Sequence, residues 1–183
     1  MNRKEALKLV KEKIKNQNLV KHCLAVEACM RALALHFNEN EEKWGLAGLL
    51  HDIDYEQTKD KPSLHSILGA KTLEELGLEK EIIEAVKTHN EIHGISPQSL
   101  MAKALYALDP LTGLIVAATL VLPTKKINDL TEENVLNRFK EKAFARGANR
   151  EIIQKCSDIG LTLEEFVEIC LKAMQKISEE LGF

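Results

Sequence analysis

Residues Gly45–Glu56 read GLAGLLHDIDYE, and the rest of the chain is organised around them. Leu46, Ala47, Leu49, Leu50 and Ile53 make the stretch apolar on most sides, the pattern of a buried helix. His51 and Asp52 stand side by side near its C-terminal end. Neighbouring helical residues point about 100° apart. Two short side chains can therefore converge on one ion, the imidazole through nitrogen and the carboxylate through oxygen. An ionised Asp in an apolar helix without a partner costs several kcal/mol, and a divalent cation offsets that cost best. The plain alternative is a His–Asp hydrogen bond at a helix end. The other histidines and Asp109 decide between the two.

Working outward, the composition favours an all-helical fold: 45% of the 183 residues are hydrophobic but only 4% aromatic, with 9 Gly and 4 Pro. The length suits one domain, 1–183, with a core at about 18–122 and a C-terminal helical extension at 123–183. A formal net charge of -3 argues against binding nucleic acid through a basic surface, so no nucleic-acid partner is expected. The charged N-terminus MNRKEALKLVKEKIK lacks a signal core, and the longest apolar run, Leu111–Leu122, is 12 residues. These two features predict a cytoplasmic protein without a membrane partner. Cys23, Cys29, Cys156 and Cys170 form no CxxC pair and read as small, reduced core residues.

Helical periodicity predicts helices over residues 2–16, 19–37 and 41–53, followed by a polar loop or lid at 54–62. Ser63 is expected to cap a helix over 64–76, and a further helix covers 79–90. Pro97 opens a helix to about Leu108, Asp109-Pro110 breaks it, and an apolar helix over 111–122 follows. Helices at 132–145 and 150–156 come next, and Thr162 with Glu165 forms a capping box for a last helix to about Leu181. The C-terminal 60 residues either pack on the bundle or make a homodimer contact.

His22, His51-Asp52, His65, His89 and Asp109 each fall on a different predicted helix, and the last 90 residues hold no histidine. One or two ligands per helix, converging from several walls, is what a metal site at the centre of a bundle needs. The ordered set resembles the HD-domain superfamily of metal-dependent phosphohydrolases, whose signature is H…HD…D. Here the signature falls on His22, His51, Asp52 and Asp109, within AGLLHDID and ALDPLTGL, although Asp54 stands where many members have Gly. The segment His65–Lys71 is similar to the helix start that supplies an extra histidine in two-metal members, and His89 is similar to their following ligand.

The resemblance implies an all-α, HD-domain-like helical bundle with additional C-terminal helices. It implies one ion held by His22, His51, Asp52 and Asp109, and a second bridged by Asp52 and completed by His65 and His89. Asn90 stands where some members carry a second histidine, which leaves that second ion less supported. Nitrogen and oxygen ligands without thiolate suit Mn, Fe, Co, Ni, Zn or Mg. The implied reaction is attack of metal-activated water on phosphorus, with Asp52 and His51 at its centre, on a nucleotide or another small phosphorylated substrate. Lys71, Lys125, Lys126, Arg146 and Arg150 are the cations available for its phosphates.

Two other readings keep the fold. One is a two-iron site that oxidises a small molecule with oxygen; the other is a non-catalytic metal-binding regulatory module. Asp54 and Glu56 read as acid-base groups, as groups supporting the ligands, or as ordinary helix-terminal polar residues. His36 reads as a surface or core-edge residue. His93 lies four residues after His89, but Gly94 and its turn break the helical face the two would share.

Overall fold

Short polar side chains set where most of the helices begin. The computed structural model describes residues 1–183. Helix α1 (Arg3–Lys13) is capped by Asn2, α2 (Gln17–Phe37) by Asn16 and α3 (Glu41–Leu50) by Asn40, each side chain accepting a backbone N–H of the first turn. A helical turn, α4 (Tyr55–Thr58), and a 3-10 turn at Pro62–Leu64 lead to α5 (Ile67–Glu75) and α6 (Lys80–Thr88). A second 3-10 turn, Glu91–His93, precedes α7 (Leu100–Leu120), capped by Ser99. The C-terminal part holds α8 (Glu132–Lys140), α9 (Arg150–Ile153), α10 (Leu163–Lys176) and α11 (Ser178–Leu181). There is no strand, and the fold is all-α.

Helices α2 and α3 form the most intimate pair in the bundle. Gly48 makes this possible: a Cβ there would lie 2.9 Å from the Val26 carbonyl oxygen and 3.0 Å from the Glu27 Cα. An ion-pair network ties the same region together. Buried Glu27 on α2 accepts from Arg3 on α1 at 2.6 Å and from Arg31 at 3.0 Å, and Arg31 reaches Glu41 and Glu42 on α3. A single apolar cluster of 47 buried residues runs from Ala6 to Leu181. The C-terminal helices are part of it, with α10 against α2 and α8 and α9 against α7.

The expected break at Asp109-Pro110 does not occur: α7 runs through Pro110 without interruption. An interior proline costs about 3 kcal/mol. Leu105, Leu108, Leu111, Leu114 and Ile115 are fully buried on this helix. At about 1.5–3 kcal/mol for each such side chain, their burial outweighs the proline. The merged helix is, by length and composition, apolar enough to cross a membrane, and 56% of its most apolar window is buried inside the bundle.

Other boundaries move as well. Pro97 lies before α7 rather than opening it, and the helix expected over 132–145 stops at Lys140. Ser63 sits within a 3-10 turn, so it caps nothing; α5 starts after Ser66, whose φ is +69°. The segment expected as a lid is partly helical, and its first residue, Asp54, is buried.

Candidate metal centre

The six residues His22, His51, Asp52, His65, His89 and Asp109 meet at the centre of the bundle. Helix α2 supplies His22, the C-terminal end of α3 His51 and Asp52, the junction before α5 His65, the end of α6 His89, and the middle of α7 Asp109. His51 is fully buried, and Asp52 and His89 nearly so. Asp52 divides the group into two lobes. Its Oδ2 faces His51 Nε2 at 3.4 Å and His22 Nε2 at 3.7 Å; its Oδ1 faces His65 Nε2 at 3.2 Å and His89 Nε2 at 3.5 Å. Asp109 Oδ1 completes the first lobe, 2.9 Å from His22 Nε2 and 3.6 Å from His51 Nε2.

The outer nitrogens fix the tautomers. His51 Nδ1 donates to the Gly48 carbonyl at 2.8 Å and His89 Nδ1 to the Val86 carbonyl at 2.6 Å. Both bonds are backbone contacts three residues back, available only because each histidine follows the last turn of its helix. The Thr112 hydroxyl donates to the Asp109 carbonyl and so accepts from His22 Nδ1 at 3.2 Å. His65 Nδ1 donates to Asp54 Oδ1 at 2.9 Å. With a proton on every Nδ1, all four Nε2 lone pairs point inward.

Those lone pairs cannot sit together unmodified. His22 Nε2 and His51 Nε2 are 3.1 Å apart, so two lone pairs face each other unless a cation or a proton lies between them. The carboxylates draw protons in. Burial opposes charge on His51, but Asp52 and Asp109 outweigh it and lift its pKa to about 9. Burial likewise opposes charge on His65, while Asp52 and Asp54 lift it to about 10. Burial pushes Asp52 and Asp109 upward, yet the surrounding imidazoles hold both well below the carboxylate range. A compact nest of inward nitrogens and ionised oxygens is the donor set a divalent ion takes.

Asp54 takes the supporting role that was one of its expected readings, and other residues join it. Asp54 accepts from His65 with one oxygen and from the Gly69 amide with the other, at 2.8 Å. The His65 carbonyl accepts from Asn90 at 3.3 Å and from His93 at 2.6 Å. Asn90 and His93 thus hold the backbone of His65, and Asn90 also borders the mouth beside His65, His89 and Asp109. The mouth beside His65, His89 and Asp109 is bordered by Tyr106, Gly147 and Asn149, and Asn149 donates to Glu91 across 58 residues of chain. His36 is exposed and packs on Phe37, as expected.

Of the five expected phosphate partners, Arg150 is committed elsewhere: its guanidinium donates to six backbone carbonyls between Arg138 and Ala148, closing the end of α8. Lys125 and Lys126 follow the far end of α7, about 16 Å of helix beyond Asp109. Lys71 is exposed on α5 beside Glu75. Arg146 alone lies by the mouth, in a cleft shared with Lys140, Lys142 and the Gly147–Asn149 turn.

An all-helical bundle with this ordered histidine and aspartate set defines a known class. The family model of the HD domain matches residues 19–114, and the chain belongs to that family. Curated relatives carry the name Ribonuclease Y. The chain is 28% identical over 173 residues to that of Oleidesulfovibrio alaskensis, covering 92% of this chain and 33% of the relative. It is 27% identical over 170 residues to that of Lawsonia intracellularis (91% and 32%) and 30% identical over 166 residues to that of Acholeplasma laidlawii (83% and 31%). The chain spans about a third of the length of these relatives. No solved structure matches it.

The relatives overturn the expectation of no nucleic-acid partner, since their name says that they act on RNA. That expectation rested on the net charge of -3. Net charge bears on binding through a broad basic surface. It says nothing about a phosphodiester gripped at a buried cationic centre.

Proposed function

We propose that this chain is a metal-dependent phosphohydrolase that cleaves phosphodiesters of RNA. The observation that carries the reading is Asp52, whose two oxygens serve two separate lobes of nitrogen donors. Membership of the HD family and the ribonuclease relatives support it. When bound, a divalent ion supplies Lewis acidity, bringing the pKa of water toward neutrality and polarising the phosphoryl oxygen.

The chain's own residues then have defined tasks. His22, His51, Asp52 and Asp109 would hold one ion, and Asp52, His65 and His89 would hold a second. Gly48, Val86, Thr112 and Asp54 lock the imidazoles in the ligating tautomer, so no reorganisation is needed when substrate arrives. The half-buried mouth at Asp109, Asn149 and Tyr106 admits the phosphodiester. Water gives up a proton to solvent and its oxygen bonds to phosphorus, the bond to the departing sugar oxygen breaks, and that oxygen takes a proton from solvent. No serine or cysteine nucleophile is required; Cys23, Cys29, Cys156 and Cys170 are free and buried in the core.

The test is incubation of the purified chain with a short single-stranded RNA across Mn, Fe, Co, Ni, Zn and Mg, beside a nucleoside monophosphate. Cleavage of the RNA, abolished by Asp52→Ala, is expected. Absence of turnover with every metal would remove the reading.

A further inference from the structure

The centre of the bundle has a second opening, on the side of His22. A cavity of about 330 Å³ lies there, and Tyr55, Lys59 and Asn18 line it together with His22. Tyr55 is one of the chain's two tyrosines and is 43% exposed. Its ring meets His65 edge to face, with centroids 5.2 Å apart and planes at 86°. One contact of that kind leaves a face of the phenol ring open to the cavity.

The uncovered side of this ring, at the rim of the charged centre, is a flat π surface that a planar ligand can cover. Its neighbours are likewise unoccupied. The Asn18 side chain makes no hydrogen bond within the protein, and Lys59 makes no ion pair. Glu56, the one carboxylate on this wall, is bound to the Lys15 backbone N–H. The opening therefore offers a flat π surface, an amide with both donor and acceptor, and a free cation, all bordering a metal ligand.

We infer that this cavity is a nucleobase subsite: Tyr55 stacks the base next to the scissile phosphate, Asn18 meets its polar edge, and Lys59 holds the following phosphate. Stacking on an aromatic ring is tolerant of sequence because every base has a π face. The subsite thus takes a ribonucleotide of any base, and favours a base-bearing diester over one without a base. This rests on the phosphodiesterase reading above and names how that site grips its substrate.

The experiment uses the full chain and a dinucleotide carrying 2-aminopurine, with an abasic dinucleotide as comparison. In the presence of a chelator, titration with the chain should quench 2-aminopurine fluorescence. Tyr55→Phe should retain the quenching, and Tyr55→Ala should weaken binding by about tenfold, the worth of one stacked base. With metal added, the wild-type preference for the base-bearing over the abasic dinucleotide should be of similar size and should collapse in Tyr55→Ala. Equal binding and cleavage of the two dinucleotides by the wild type, which needs no variant to fold, would overturn the subsite while leaving the hydrolase reading intact. Retained quenching with no cleavage of either dinucleotide would do the reverse.

Discussion

Asp54 holds His65 from behind: its Oδ1 accepts the imidazole Nδ1–H at 2.9 Å while its Oδ2 accepts the Gly69 amide at 2.8 Å. With both oxygens taken, the carboxylate cannot rotate, and the imidazole it holds presents Nε2 to Asp52. Such partners behind a ligating histidine are commonly worth about 10–100-fold in metal affinity. Asp54→Ala should lower affinity at the His65–His89 lobe by that factor and leave the His22–Asp109 lobe loaded. Isothermal titration with Mn or Co, read beside elemental analysis, checks this as a fall from two ions toward one. Equal loss at both lobes would mean that Asp54 merely supports the fold.

Asp52 is the shared element, so its loss should empty both lobes. Asp52→Asn should abolish hydrolysis and remove tight metal binding, whereas loss of His89 should spare the first lobe. Metal content of the two purified variants distinguishes these outcomes.

The imidazoles predict how stability responds to pH. His51 and His65 titrate at about 9 and about 10, above the ordinary value of 6.5. A raised pKa stabilises the fold fully below the unfolded value, and that contribution is lost as pH climbs through the folded value. In chelator the Tm should therefore decline between about pH 6.5 and pH 10. A bound divalent ion replaces the protons, so with metal the decline should flatten, and metal affinity should weaken as pH falls. Thermal melts at stepped pH, with and without Mn, measure both effects.

Glu27 joins α2 to α1 and is buried between Arg3 and Arg31, which in turn reaches α3. Removing one member of a buried pair costs about 3–5 kcal/mol. Glu27→Ala should fall near the lower end, because Arg31 keeps Glu41 and Glu42 and Arg3 is partly exposed. Glu168→Ala, which breaks an exposed pair with Lys172, should change stability by no more than about 0.5 kcal/mol. Urea denaturation of the two variants supplies the contrast.

Gly48 links packing to the metal centre. Its missing side chain lets α3 approach α2, and its carbonyl orients His51. Gly48→Ala should cost about 1–3 kcal/mol through overpacking. The same variant should also weaken metal binding, since α3 must move and carry His51 with it. Denaturation and metal titration on one preparation test whether the two losses come together.

The sequence alone determined the fold class and the order of the residues that converge at the centre of the bundle. Helical periodicity, together with histidines at successive helix ends, requires only local patterns and the direction of the chain. His22, His51, Asp52, His65, His89 and Asp109 were legible because that helical pattern and their order along the chain together resemble the HD-domain signature. Tertiary structure decided what lies between them. Pro110 stays helical because burial of its neighbours outweighs a local preference, and no local signal measures burial. Asp54, Asn90, His93 and Asn149 take their roles from partners 11 to 58 residues away. Arg150 was read as a free cation, whereas the folded chain turns it onto its own carbonyls. A side chain's type states which bonds it can make; only the packed fold states which partner it reaches.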